Sequence, residues 1–88
     1  MSTTMRAKLQ IFEVEQFKDL KGELYQETLR MSAVGPNTNY PESGLDEDNT
    51  FAKFSPMASF SITVMNPALL GKFVAGEKYC VDFTPAVA

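Results

Sequence analysis

Residue types that usually carry catalysis are sparse in this chain. It contains no histidine, the side chain that most often serves as a general base near neutral pH. Its one cysteine, Cys80, therefore has no histidine to activate it, and the nearby Asp82 carries a charge that does not stabilise a thiolate. We interpret Cys80 as a structural cysteine and predict that the protein is not an enzyme.

An acidic run at 46–50, DEDNT, invites comparison with a calcium-binding loop. Oxygen-bearing side chains at positions 46, 48 and 50 match the start of an EF-hand loop. The match then fails, because Phe51 stands where that loop needs glycine and Met57 stands where it needs glutamate. We expect a solvated acidic segment here, and the sequence predicts neither a metal site nor a cofactor.

Interleaved basic and aromatic residues are the other candidate for chemistry. Such a mixture is typical of a platform on which single-stranded nucleic acid stacks. In the competing interpretation the rings form the core and the lysine stems cover its rim. The second interpretation is favoured, because a chain with seven Phe, no Trp and a net charge of −3 needs its rings inside and repels phosphate. The residues of this alternative nucleic-acid site are Phe51, Lys53, Phe54, Lys72 and Tyr79.

Strict alternation of apolar and polar residues at 58–64 is the clearest structural signal. Apolar Ala58, Phe60, Ile62 and Val64 alternate with serine and threonine, which predicts a strand with one dry face. Similar alternation predicts strands at 5–14, 24–34 and 78–84.

Four local features refine this prediction. The apolar phase slips at Ile11 and Phe12, which indicates a β-bulge. Residues 10–21 also fit an amphipathic helix, so strand and helix both remain open there. Glu27 interrupts the dry face of the second strand, and we expect the end of the Glu27 side chain at the rim of the sheet. Pro56 separates the third strand from a short leading strand at 51–54 or lies on an edge.

The segment 66–71 carries the signals of one helical turn. Asn66 suits the N-cap, Pro67 the first helical position and Gly71 the position just past the end. The chain as a whole is predicted to be one mainly β domain, 1–88, with a long acidic loop at 35–50. We expect a small antiparallel β-barrel or β-sandwich of four or five strands, because closure removes exposed strand edges.

Three stretches resemble a type of small protein found in tailed bacteriophage genomes. They are DEDNTFAKFSP at 46–56, NPALLGKF at 66–73 and YCVDFTP at 79–85, with a looser similarity in MRAK at 5–8. The resemblance implies a viral origin. It carries over no catalytic residue, because no activity is assigned to that group, whose short members are commonly virion components or binders of host proteins.

The sequence therefore predicts a non-enzymatic bacteriophage protein that acts by protein–protein interaction, as a virion structural or decoration subunit or as an inhibitor of a host system. The expected partner is a viral or host protein or another copy of the chain, and single-stranded nucleic acid is the alternative. We expect the contact to involve Tyr40, Asp46, Asp48 and Phe51.

Location follows from what the sequence does not contain. One cysteine permits no internal disulfide, which favours a reducing compartment. Residues 1–6 lack the apolar segment of a signal peptide, and no apolar run reaches the roughly 18 residues of a membrane helix. We expect the protein in the host cytoplasm as synthesised, with the virion as a second location, and no membrane partner.

Overall fold

Alternating apolar and polar side chains produce four antiparallel strands in the computed structural model, which describes residues 5–35, 42–45 and 48–87. The strands are β1 (Met5–Lys18), β2 (Leu24–Ala33), β3 (Ser59–Val64) and β4 (Lys78–Phe83). They form one sheet in the order β3-β2-β1-β4. The predicted mainly β class is confirmed. Within the described residues there is no helix, and hence none long and apolar enough to cross a membrane.

The sheet stays open instead of closing into a barrel. Strands β3 and β4 stand at opposite edges and are not paired with each other. The leading strand predicted at 51–54 is absent, since that segment consists of turns and bends. Loops, and not a second sheet, cover the apolar face in the described ranges.

The long central hairpin settles the ambiguity at 10–21. β1 continues as a strand to Lys18 and pairs with β2 along most of its length. Ile11 lies opposite Met31 while Glu13 lies opposite Arg30, so Phe12 is the extra residue of the predicted β-bulge. Its ring is 61% exposed.

The core occupies one face of this single sheet. Its buried side chains are Ala7, Leu9, Ile11, Leu29, Met31 and Val64. The opposite face carries polar residues joined by ion pairs between strands. Arg6 Nε lies 2.6 Å from Asp82 Oδ1, and this guanidinium lowers the pKa of Asp82 chiefly through the hydrogen bond.

The connection between β3 and β4 must cross one face of the sheet, because these strands stand at opposite edges. We call residues 65–77 the crossing connection. Its Leu70 and Phe73 pack against the core. The predicted helical turn is present only as successive turns: the amide of Ala68 donates to Asn66 Oδ1 at 3.0 Å, and Gly71 adopts φ +76°. Asn66 and Gly71 thus play their expected capping parts without a helix between them.

Glu27 is not at the rim of the sheet, and that expectation is wrong. Its side chain is fully buried on the core face, opposite Val64 of β3. One carboxylate oxygen accepts a hydrogen bond from Gln16 Nε2 at 2.8 Å and the other accepts one from the Gly71 amide at 2.9 Å. Glu27 therefore fastens the crossing connection to the sheet, which explains why a charged residue interrupts the dry face.

Candidate functional site

An apolar cavity of about 200 Å³ opens on the core face at the end of the sheet where β1 begins. Ala7 and Leu9 line it and are buried, whereas Met57 at its margin is 88% exposed. Met5 and Phe83, which lie opposite each other on β1 and β4, are also exposed. The remaining side chains of its lining include Phe51 and Phe60. The cavity therefore has a dry interior and an apolar margin that water reaches.

The Asn49 side chain bridges β1 and the residue that follows β2 at this end of the sheet. The amide of Val34 donates directly to the carbonyl of Lys8 at 2.9 Å, as in an ordinary ladder. The return bond is replaced: the Lys8 amide donates to Asn49 Oδ1 at 2.8 Å, and Asn49 Nδ2 donates to the Val34 carbonyl at 2.8 Å. The fully buried Asn49 side chain thus acts as an inserted peptide group between β1 and the end of β2.

Thr50 continues the pairing of β1 past the end of β2. Its amide donates to the carbonyl of Arg6 at 3.0 Å, and its Oγ1 accepts from the amide of Arg6 at 2.8 Å. Phe51 follows immediately and packs against the core beside the cavity. The sequence did not reveal the roles of Asn49 and Thr50, because their partners lie up to 44 positions away. No local pattern in the sequence distinguishes them from other turn residues.

The predicted partner-contact residues are only partly placed by the structure. Phe51 lies half-buried in the cavity lining, and Asp48 lies three positions before it. Asp48 Oδ2 is 3.5 Å from Lys8 Nζ, and the Asp48 side chain remains 41% exposed. Tyr40 and Asp46 lie outside the residues that the structure describes. Met57 is the most exposed apolar side chain of the cavity lining. The sequence alone singled it out only because it stands where a calcium-binding loop needs glutamate.

The alternative nucleic-acid residues are spread over three segments. Phe51 packs against the core, and so does Tyr79 of β4, whose ring meets Phe73 edge to face at 5.8 Å. Burial, reinforced by the hydrogen bond that its hydroxyl donates to Glu77, raises the pKa of Tyr79. The other three residues are Lys53, Phe54 and Lys72, all exposed. Two of the rings therefore serve the core instead of offering free faces to bases.

Phe54 is held against the acidic loop by Gly44. The amide of Phe54 donates to the carbonyl of Gly44, and its ring occupies the space where a Cβ on Gly44 would lie, at 2.7 Å. Gly44 also has φ +74°, a conformation that side chains disfavour. The part of the loop around Gly44 thus rests directly on the 51–54 segment.

Replacing Gly44 with alanine is expected to lower the free energy of unfolding by about 2–3 kcal/mol, through backbone strain and the clash with Phe54. Gly22→Ala is the matched control, since Gly22 has φ +82° but nothing within 4 Å of the added Cβ. It should lose only about 1 kcal/mol. Urea unfolding measures both, and equal losses would show that the ring contact adds nothing.

The other side chains that could bind a ligand or take part in a reaction are dispersed or already paired. Arg30 Nη1 lies 2.8 Å from Glu13 Oε1 and 3.0 Å from Glu15 Oε1 on the polar face. Cys80 is exposed on the same face. In the part of the chain that the structure describes, no three acidic, histidine or cysteine side chains are grouped as metal ligands.

A comparison of the chain with protein-family models gives no match, and neither the curated proteins nor the solved structures give one. The interpretation of the cavity therefore rests on its own geometry.

Proposed function

We propose that the chain is a non-enzymatic bacteriophage protein that acts by binding another protein, and that the cavity at the start of β1 receives one apolar side chain of that partner. The observation that carries this proposal is a dry cavity whose margin exposes Met57, Met5 and Phe83 to water. Contiguous exposed apolar surface of this kind is typical of interaction sites.

The size of the cavity favours a side chain over a small-molecule ligand. Its volume is about 200 Å³, whereas sites for drug-sized ligands occupy roughly 300–1,000 Å³. A single aromatic or large aliphatic side chain suits the smaller space, and such buried anchors provide much of the binding energy of protein interfaces. The flexible thioethers of Met5 and Met57 can adapt their shape to the incoming group.

Charge around the site favours a partner with basic residues beside the apolar anchor. The chain carries a net charge of −3. Asp48, three positions before Phe51 of the cavity lining, keeps 41% of its side chain exposed despite its contact with Lys8. Opposite charges around an apolar centre raise the association rate and help select the partner. The viral origin, and the roles of virion subunit or inhibitor of a host system, are supported by the resemblance of the three sequence stretches.

Selection from a random peptide display library against the full chain tests this proposal. The selected peptides should share one aromatic or large aliphatic residue flanked by lysine or arginine. Met57→Gln should weaken their binding about tenfold, since it removes an exposed apolar contact at the margin. Leu20→Gln is the control, because Leu20 is fully exposed in the β1–β2 turn and lies outside the cavity lining.

Equal binding to the two variants would contradict the assignment of the cavity. Selected peptides that lack an apolar anchor would do the same. Binding of a single-stranded oligonucleotide that weakens steeply with salt would instead favour the nucleic-acid alternative.

A further inference from the structure

Among the residues that the structure describes, β3 is an edge strand, and its sequence lacks the usual protection of an edge. The nine residues 57–65, MASFSITVM, contain no charged residue and no proline. Natural proteins normally place lysine, proline or a bulge on an exposed edge to prevent pairing with another chain. The opposite edge, β4, does carry Lys78 and Asp82, and Asp82 is held by Arg6. The two edges of the sheet therefore differ in their readiness to pair.

The hydrogen-bonding direction of β3 follows from one ladder bond. The amide of Ala33 donates to the carbonyl of Ala58 at 3.2 Å, and Ala58 lies opposite Ala33 when the β2–β3 register is continued by one residue. Hydrogen-bonded pairs alternate along an antiparallel ladder, so Phe60, Ile62 and Val64 direct their backbone groups toward β2. The amides and carbonyls of Ser59, Ser61 and Thr63 consequently point away from the sheet.

We infer that two copies of the chain pair antiparallel through β3, about a two-fold axis at Ile62. In this register Ile62 lies opposite Ile62 of the second copy, Phe60 opposite Val64, and Ser61 opposite Thr63. The outward backbone groups of Ser61 and Thr63 then bond to each other across the axis. The strand is thus complementary to itself on both faces, which is the reason to choose a second copy as the occupant of this edge.

The side-chain contacts across the axis suit a stable pair. Opposing residues that are not hydrogen-bonded approach most closely, and here these are the isoleucine pair and the two aromatic–β-branched pairs. Ile62 is 44% exposed in the single chain and becomes covered. No charge loses water in the process. Pairing produces one continuous eight-stranded sheet with both cavities on the same face.

This inference does not rest on the proposed function, and its test is separable from that of the cavity. Met57 lies outside the paired register, so Met57→Gln should leave the dimer intact. Sedimentation equilibrium of the full chain should show a dimer that dissociates on dilution. A monomer at every concentration would overturn the inference.

Two variants then locate the contact. Ile62→Lys places two like charges next to each other on the two-fold axis. Ser61→Pro removes the outward amide donor of Ser61 in each copy, and it leaves the hydrogen bonds between β3 and β2 in place. Each should raise the dissociation constant at least about tenfold, whereas the control Ser61→Ala keeps the amide and should leave it unchanged. Circular dichroism checks that each variant keeps its strands. A dimer unaffected by both substitutions would overturn the assignment to β3.

Cysteine crosslinking tests the register directly. With Cys80→Ser as background, Ile62→Cys should crosslink readily, since opposing Cα atoms of such a pair lie about 4.5 Å apart. Ser61→Cys should not, because residues 61 of the two copies are then diagonal and beyond the roughly 7 Å that a disulfide spans. Preferential crosslinking at position 61 would overturn the register. Rapid crosslinking of the unmodified chain through Cys80, together with none at Ile62→Cys, would show that β4 pairs instead and would overturn the proposal.

Discussion

Replacing Asn49 with alanine is expected to lower the free energy of unfolding by about 3 kcal/mol, a large part of the stability of a small domain. The substitution removes the acceptor of the Lys8 amide and the donor to the Val34 carbonyl at once. The Lys8 amide and the Val34 carbonyl cannot bond each other directly, because in the native sheet the Asn49 side chain lies between them. Each buried group left without a partner costs about 1–3 kcal/mol. Urea unfolding of the purified chain gives the measurement.

Asn49→Asp separates the loss of the donor to the Val34 carbonyl from the loss of the acceptor for the Lys8 amide. The carboxylate can still accept from the Lys8 amide, but it places a charged oxygen against the Val34 carbonyl. We expect it to be at least as destabilising as alanine. Asn66→Ala serves as the control, since Asn66 is exposed and caps one turn through a single side-chain bond to the Ala68 amide. Its loss should be about 1 kcal/mol. An Asn49→Ala variant no less stable than Asn66→Ala would mean that water replaces the inserted amide.

The second large effect is expected at Glu27. Glu27→Ala removes two hydrogen bonds to a buried carboxylate, which together contribute about 3 kcal/mol or more. Relief from burying a charge offsets part of this, so we expect a net loss of about 2 kcal/mol. The amide proton of Gly71 should exchange faster with solvent, because the crossing connection loses its bond to the sheet. Urea unfolding and hydrogen exchange measure the two consequences.

Glu27→Gln is the matched variant. Its carbonyl oxygen can accept from the Gly71 amide, and its NH₂ group can donate to Gln16 once the Gln16 amide rotates. We expect a stability within about 1 kcal/mol of the original chain and little change in the exchange of Gly71. If glutamine proved as damaging as alanine, the charge itself, and not the pair of hydrogen bonds, would be what holds the connection.

The strands could be read from the sequence because the two-residue period is a local property. The first residues of β1, β2 and β4 were predicted at Met5, Leu24 and Lys78, and the bulge at Phe12 followed from the phase slip. The open sheet could not be read in this way. A closed barrel was one of the two predicted architectures, beside a sandwich, because free edges are disfavoured. The actual topology depends on the path of the crossing connection over the apolar face.

The candidate site was less predictable than the sheet. Phe51 was singled out for its type and position, and the structure places it in the cavity lining. Met57 and Asn49 were missed because their significance depends on residues distant in the chain. Met57 becomes part of a cavity only where the starts of β1 and β3 and the end of β4 lie at the same end of the sheet. Asn49 becomes a ladder element only where β2 stops pairing with β1.

The order β3-β2-β1-β4 has a consequence for how the chain is made. The central hairpin consists of the two strands that emerge first from the ribosome, and its pairs are close in sequence. Each edge waits for residues synthesised later, and β4 returns to β1 across more than half the chain. We therefore expect a nascent hairpin with its apolar face bare, which a chaperone can shield until the crossing connection is complete.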